Sequence, residues 1–203
     1  MVSIKRLFSV CFCILAIPVF MSCNSGPVGD GAYLAFYPTT CEQIHVSAKC
    51  DKKLTIWVKA TGSDADHDDL IEGIVSDYYS KNYGISGGSC IREFFYCLEV
   101  CTSIVIVADI ECNGVEPFND LSDFFTVSAT SDYYGGELLI TSDSVIGRLN
   151  SIPLTKFIEY RPLMVPVMTF DMIAGDTDYT GAHFNITITL DNGNTFTKTV
   201  EIP

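Results

Sequence analysis

Phe184-Asn-Ile-Thr-Ile-Thr-Leu190 runs into Asp191-Asn-Gly-Asn194, and Thr195 to Ile202 follows. Apolar and polar residues alternate on both sides of the turn. A period of two sends successive side chains to opposite faces of a strand. Asn192-Gly193 supplies the positive φ angles that a tight hairpin turn demands. The stretch is a β-hairpin, and it sets the reading of everything before it.

Working back along the chain, the same alternation recurs. In Lys53 to Thr61, Leu54, Ile56 and Val58 face one way and Thr55, Trp57 and Lys59 the other. Ile91 to Val100 and Ser103 to Ile110 are two apolar stretches, the second with Ile104, Ile106 and Ala108 set against Val105, Val107 and Asp109. Ala32 to Tyr37, Thr126 to Thr130, Glu137 to Thr141 and Leu163 to Met172 are further candidate strands. Pro162 and Pro166 mark the last of these as an edge or bulged strand. From His67 to Lys81 the period changes: Leu70, Ile71, Ile74, Val75, Tyr78 and Tyr79 form one helical stripe. Pro117 to Phe124 suits a short helical turn. Many short strands separated by turn signals predict a mainly β chain. The expected architecture is an antiparallel β-sandwich, immunoglobulin-like, with one helix inserted near 67–81. No βαβ series suggests an open parallel sheet. Ser-Asp-Tyr-Tyr occurs at 76–79 and 131–134, too short a repeat to signify duplication.

The chain has 203 residues, 48% of them hydrophobic and 18% charged, which excludes disorder over most of its length. Its formal net charge is −13. A nucleic-acid partner demands clustered positive charge, so none is expected. The same balance argues against electrostatic docking on anionic lipid.

Lys5 and Arg6 precede an apolar run from Leu7 to Met21, and Phe20-Met21-Ser22-Cys23 ends it. The run is short for a bilayer span, which takes about 20 residues, and fits a signal-peptide core. Ser22-Cys23 resembles the lipobox of bacterial lipoproteins. That resemblance implies cleavage between Ser22 and Cys23 and acylation of Cys23, so residues 1–22 are expected to be a signal peptide. Phe20 stands where that family usually has an aliphatic residue. Residues 23–32 read as the lipidated Cys and a flexible tether, and 33–203 as a single β-sandwich domain. The resemblance implies a membrane partner through the lipid. Asn24, rather than Asp, favours the outer membrane, facing the periplasm or the cell surface. A second resemblance covers residues 90 to 203. The Asn119 to Phe125 stretch after the Ile104–Ile110 strand, and the closing Leu-Asp-Asn-Gly hairpin, look like the small uncharacterised β-rich lipoproteins of the Bacteroidetes. It implies architecture and no chemistry.

Cleavage would remove Cys11 and Cys13, leaving Cys41, Cys50, Cys90, Cys97, Cys101 and Cys112 beside the lipidated Cys23. An even number in an exported chain predicts disulfides among these six, with the pairing open; free buried cysteines packing as small apolar groups are the rival reading. No Cys-x-x-Cys pair exists, and His45, His67 and His183 show no ligand spacing. No cofactor is expected.

Gly84-Ile-Ser-Gly-Gly88 matches G-x-S-x-G, but a hydrolase elbow places a strand before the Ser and a helix after it. Here the order is reversed, and a Gly/Ser turn is the better reading. Asp64, Asp66 and Asp68 stand two apart and suggest a Ca²⁺ loop or, more simply, a solvated helix start capped by Asp64 or Asp66. Tyr133 and Tyr134 sit beside a turn, and Trp57 lies on the polar side of its strand; together they suggest stacking on sugar rings or, more simply, a tyrosine folded over the core edge. Asp143-Ser-Val145 fits a Bacteroidetes O-glycosylation motif, which makes Ser144 a candidate acceptor. The expected protein is an exported lipoprotein, not an enzyme, carrying a binding module for glycans. Its acidic balance favours neutral or cationic ligands. The alternative is a structural or assembly subunit of a cell-envelope complex with an envelope protein as partner.

Overall fold

The computed structural model describes residues 32–50, 53–83, 90–129, 138–173 and 178–203. The expected signal peptide, Cys23, the expected tether up to residue 31, Gly84–Gly88, Tyr133 and Tyr134 lie outside the described residues, while residue 32, the expected end of the tether, already belongs to the first strand. Among the described residues the chain is mainly β, with two α-helices and several sheets, most of them antiparallel. The strands are β1 (Ala32–Thr39), β2 (Gln43–Cys50), β3 (Leu54–Thr61), β4 (Cys90–Cys97), β5 (Cys101–Ala108), β6 (Phe125–Ala129), β7 (Leu138–Ile140), β8 (Val145–Arg148), β9 (Ile152–Pro153), β10 (Val167–Met172), β11 (His183–Leu190) and β12 (Thr195–Glu201). Helix α1 is Asp69–Tyr83 and α2 is Leu154–Glu159. Ser122–Phe124 forms the short helical turn, of 3₁₀ type.

Two antiparallel sheets build the main core. One runs β2-β3-β10-β6-β9 and the other β12-β11-β5. Leu54, Ile56 and Val58 of β3, with Phe125, Met168 and Phe170, share one buried apolar cluster with Ile104, Ile106, Phe184, Ile186 and Ile188 of the second sheet. The inward residues are those that the alternation singles out, since burying apolar area is the main favourable term in folding. Strand β12 lies against β2, so the edges of the two sheets meet. Lys198 shares its side of β12 with the half-buried Phe196 and Val200 yet stays exposed. A charge placed that way on an edge strand discourages pairing with another chain.

The hairpin forms as the sequence predicts, with a different turn. Only Gly193 has positive φ, at 88°; Asn192 does not. The Gly193 N–H donates to Leu190 O at 3.0 Å, and the Leu190 N–H donates to Asn194 O at 2.9 Å. One left-handed residue closing a turn of this kind suffices where a two-residue loop would take two.

Three other expectations change. First, β1 and β4 pair in parallel, Ala32 opposite Cys90 through Thr39 opposite Cys97. The all-antiparallel expectation fails here because β2, β3 and α1 intervene and return the chain in the same direction, as a parallel pair requires. Helix α1 covers this pair: Ile71, Val75 and Tyr79 form a second buried cluster with Phe94, Tyr96, Leu138, Ile140 and Leu163. Second, β10 is an interior strand between β3 and β6. Pro162 and Pro166 precede it rather than sit in it, and the Pro166 carbonyl accepts the Ala60 N–H at 2.8 Å. Third, α1 begins two residues later than the expected 67–81 span, because Asp68 is the cap. Its Oδ1 accepts the N–H groups of Leu70 at 3.0 Å and Ile71 at 3.1 Å. Those are donors that a helix start leaves unsatisfied.

At the other end of the core, Asp109 ties β5 to β11. Its Oδ1 accepts the His183 N–H and its Oδ2 meets His183 Nδ1, both at 2.9 Å. The His183 backbone donor, and then the imidazole, hold the Asp109 carboxyl below the usual carboxylate range. A lowered folded-state pKa gives stability that is present above the unfolded carboxylate value, about 3.9, and is lost as pH falls through the folded value. The melting temperature of wild type should therefore exceed that of Asp109→Asn at pH 7, and the gap should close as pH falls below about 4. A gap independent of pH would show that the carboxylate charge contributes nothing.

Candidate functional site

The outer side of the β2-β3-β10-β6 sheet is where the sequence-flagged Trp57 stands. Its strand buries Leu54, Ile56 and Val58 completely, so Thr55, Trp57 and Lys59 point away from the core. Cross-strand register arranges that side in three ranks. Trp57 is opposite Ser47 on β2 and Thr169 on β10, and Thr169 is opposite Ser128 on β6. One rank away, Lys59 lies between His45 and Val167. On the other side, Thr55 lies between Lys49 and Asp171, with Thr126 beyond. Ranks are about 7 Å apart along a strand and strands about 4.8 Å apart. The half-buried indole is thus the one aromatic group in a field of hydroxyls and charges. Asp171 is engaged: Thr55 Oγ1 donates to its Oδ1 at 2.6 Å, and Lys53 Nζ lies 2.9 Å from its Oδ2.

The corresponding side of the β12-β11-β5 sheet differs. There Thr187 and Thr197 hydroxyls bond each other at 3.0 Å, and Thr189 and Thr195 at 3.3 Å. The hydroxyls of the Trp57 side are engaged as well: Thr55 donates to the Asp171 carboxylate, Thr126 to the Asp171 carbonyl, and Ser128 Oγ accepts the Ser151 N–H. The difference is the indole: the Trp57 side sets an aromatic stacking surface beside polar groups, the combination that sugar binding uses.

The other candidate residues fall elsewhere. Asp64 and Asp66 are exposed, and Asp68 spends its carboxylate on the α1 cap. The cap is therefore Asp68, not Asp64 or Asp66. Among the described residues no group of three or more His, Cys, Asp and Glu side chains is placed to hold a metal ion. Ser144 lies in the β7–β8 turn, where its hydroxyl meets Thr141 Oγ1 at 2.9 Å and Asp143 Oδ1 at 3.3 Å. Tyr96 donates to Glu72 Oε1 at 3.4 Å, and His67 Nδ1 contacts the same oxygen. Burial pushes the Tyr96 phenol up to about 12, with the Glu72 charge adding to it. A group that gives up its proton so reluctantly is poorly suited to acid–base exchange near neutral pH; its hydrogen bonds instead pin the start of α1.

Cys41, Cys50, Cys97, Cys101 and Cys112 are free thiols, and among the described residues no disulfide occurs. The Cys90 side chain is outside the described residues. Cys41, Cys97 and Cys101 are buried in the main core, where thiols pack as small apolar groups. Burial raises Cys41 to about 11 and both Cys97 and Cys101 to about 12, and Cys41 lies close enough to raise each of the other two. Thiols held protonated in this way are not activated nucleophiles. No family model matches the chain, and no curated protein matches it by sequence. Among the described residues no helix is long and apolar enough to cross a membrane.

Sequence reasoning placed Trp57 and Lys59 on one side but missed His45, Ser47 and Lys49, because β2 was not recognised. The signal was present: Ile44, Val46 and Ala48 alternate with those three residues.

Proposed function

We propose that this chain is an exported lipoprotein, anchored through Cys23, whose β-sandwich domain is a non-catalytic glycan-binding module. The single observation that carries the binding reading is Trp57, outward-facing on a sheet and flanked in register by Ser47, Thr169 and Ser128. Two sheets sharing one core support the sandwich, and the Ser22-Cys23 junction after an apolar run supports the anchor. The outer membrane is the proposed location. A glycan-array screen of the full chain in detergent micelles tests the module. Hits should be lost in Trp57→Ala, and an array signal that the variant leaves intact would sink the proposal. Palmitate labelling tests the anchor: Cys23→Ala should abolish it, and undiminished labelling would refute lipidation there.

Export would also bring the core thiols into an oxidising compartment. The link we propose joins Cys41 to Cys97 or Cys101, three of the buried thiols of the main core. Mass mapping of unreduced peptides from envelope-purified protein should recover that link. Full alkylation of all three thiols without reductant would exclude it.

A second reading, an assembly subunit of the envelope, draws on Phe118. Its side chain is 68% exposed and its φ is +65°, a strained conformation for a bulky residue. Its N–H donates to Ala108 O at 2.7 Å, which holds the loop in that shape. Cross-linking from position 118 to an envelope protein, with a silent glycan array, would favour this role.

A further inference from the structure

Cross-strand register lays one uncharged row across four strands. It runs from Ser47 on β2 through Trp57 on β3 and Thr169 on β10 to Ser128 on β6. Ser151 extends it: its N–H donates to Ser128 Oγ at 2.8 Å, and its hydroxyl donates to Thr126 Oγ1 at 3.3 Å. A hydroxyl that accepts one bond still has a proton to give, so Ser128 keeps a donor. Charged and titratable side chains stand in the ranks to either side, His45 and Lys59 in one, Lys49 and Asp171 in the other. They do not add up to a charged patch: Lys53 pairs with Asp171 at 2.9 Å, and Lys49 has a partner of its own. The row is therefore long, neutral and hydroxyl-bearing, with its one aromatic ring inside it rather than at an end.

We infer that the Trp57 side of the sheet binds an internal stretch of a neutral, linear polysaccharide laid across the strands. This rests on the glycan-binding reading above and names the ligand class and its direction. Neighbouring strands lie about 4.8 Å apart, so the row from Ser47 to Ser128 spans about 14 Å. A sugar unit of an extended chain advances by close to one strand spacing. A ring stacked on Trp57 thus sets its neighbours over Ser47 on one side and over Thr169 and Ser128 on the other. Sugars continue past the indole both ways, which suits the middle of a chain rather than its end. A chain running along β3 instead would pass from Trp57 onto Lys59, or onto Thr55, whose hydroxyl is spent on Asp171. The formal net charge of −13 repels a polyanion and leaves a neutral polymer indifferent.

The test is an array of neutral oligosaccharide ladders, β-1,4-linked glucose, xylose and mannose from a single sugar to about six, with polygalacturonate as the anionic control. The full chain in detergent micelles is compared with Trp57→Ala, Trp57→Leu, Ser47→Ala/Ser128→Ala and Lys59→Ala. Thermal melting checks that each is folded, and Trp57→Leu removes the ring while keeping apolar bulk on the strand. Binding to a neutral ladder should strengthen with length and level off at about four sugars, the span of the row. It should disappear in both Trp57 variants and weaken about tenfold in the serine variant, which loses two hydrogen-bonding groups. Lys59→Ala and added salt should leave it unmoved. Three results would overturn this inference and leave the glycan module standing: Trp57-dependent binding already complete at a single sugar, binding that falls in Lys59→Ala but not in the serine variant, or binding confined to polygalacturonate. Absence of any Trp57-dependent binding would overturn both.

Discussion

Gly62→Ala is expected to destabilise the fold by about 3 kcal/mol or more, the upper end of what overpacking does. A Cβ built on Gly62 would lie 1.7 Å from the Thr40 carbonyl oxygen and 2.7 Å from its carbon. The obstacle is backbone, and it is fixed on both sides. The Thr40 N–H donates to Ser63 O at 2.9 Å, and the Glu42 N–H donates to Thr61 O at 3.0 Å. Relieving the clash breaks one of these bonds or shifts β2 against β3. Either change reaches the core, because Cys41, between the two donors, is buried. The control is Gly73→Ala on α1, where an added Cβ meets nothing within 4 Å. That change should stabilise by about 0.5–1 kcal/mol, the helix preference of Ala over Gly. Denaturant midpoints of the two variants measure the contrast. A Gly62→Ala midpoint equal to wild type would mean that the Thr40–Glu42 crossing does not run where the structure places it.

Phe170→Ala carries the second large effect, about 3–5 kcal/mol. Phe170 is fully buried on β10, opposite Ile56 on one side and Val127 on the other. Truncation loses the burial of the ring and leaves a cavity between rigid strands that cannot close it. Against a typical domain stability of about 5–15 kcal/mol this is a large share. Ser47→Ala, exposed on β2, should change stability by no more than about 0.5 kcal/mol. Urea titration of both variants checks the pair, and a Phe170→Ala loss below about 1 kcal/mol would place Phe170 outside a packed core.

The strands that were legible in the sequence are those whose two sides differ strongly in polarity. Phe184–Leu190 and Leu54–Thr61 are the best cases, and both bury alternate residues as written. Strand β2 is only weakly legible: Ile44, Val46 and Ala48 alternate, but its inner side is fully buried only at Ile44 and fades toward Ala48 and Cys50. Helix α2 has six residues, too few for a helical period to stand out. Pairing was less legible than existence. Which strand lies beside which depends on contacts far apart in the chain, so neither the parallel β1–β4 pair nor the interior place of β10 follows from local pattern. The same division holds for the candidate site. The outward direction of Trp57 is a local property of its strand. The company it keeps, Lys49 and His45 above all, depends on β2 lying next to β3.

Trp57 is the only tryptophan in the chain, so intrinsic indole fluorescence reports on that position alone. The most direct measurement is a fluorescence titration of the full chain, in detergent micelles, with the polysaccharide that binds best on the array. Stacking on the indole should change the intensity or wavelength of its emission along the same saturation curve as binding. Binding that saturates by an independent method while the Trp57 emission stays constant would contradict a sugar site on this side of the sheet.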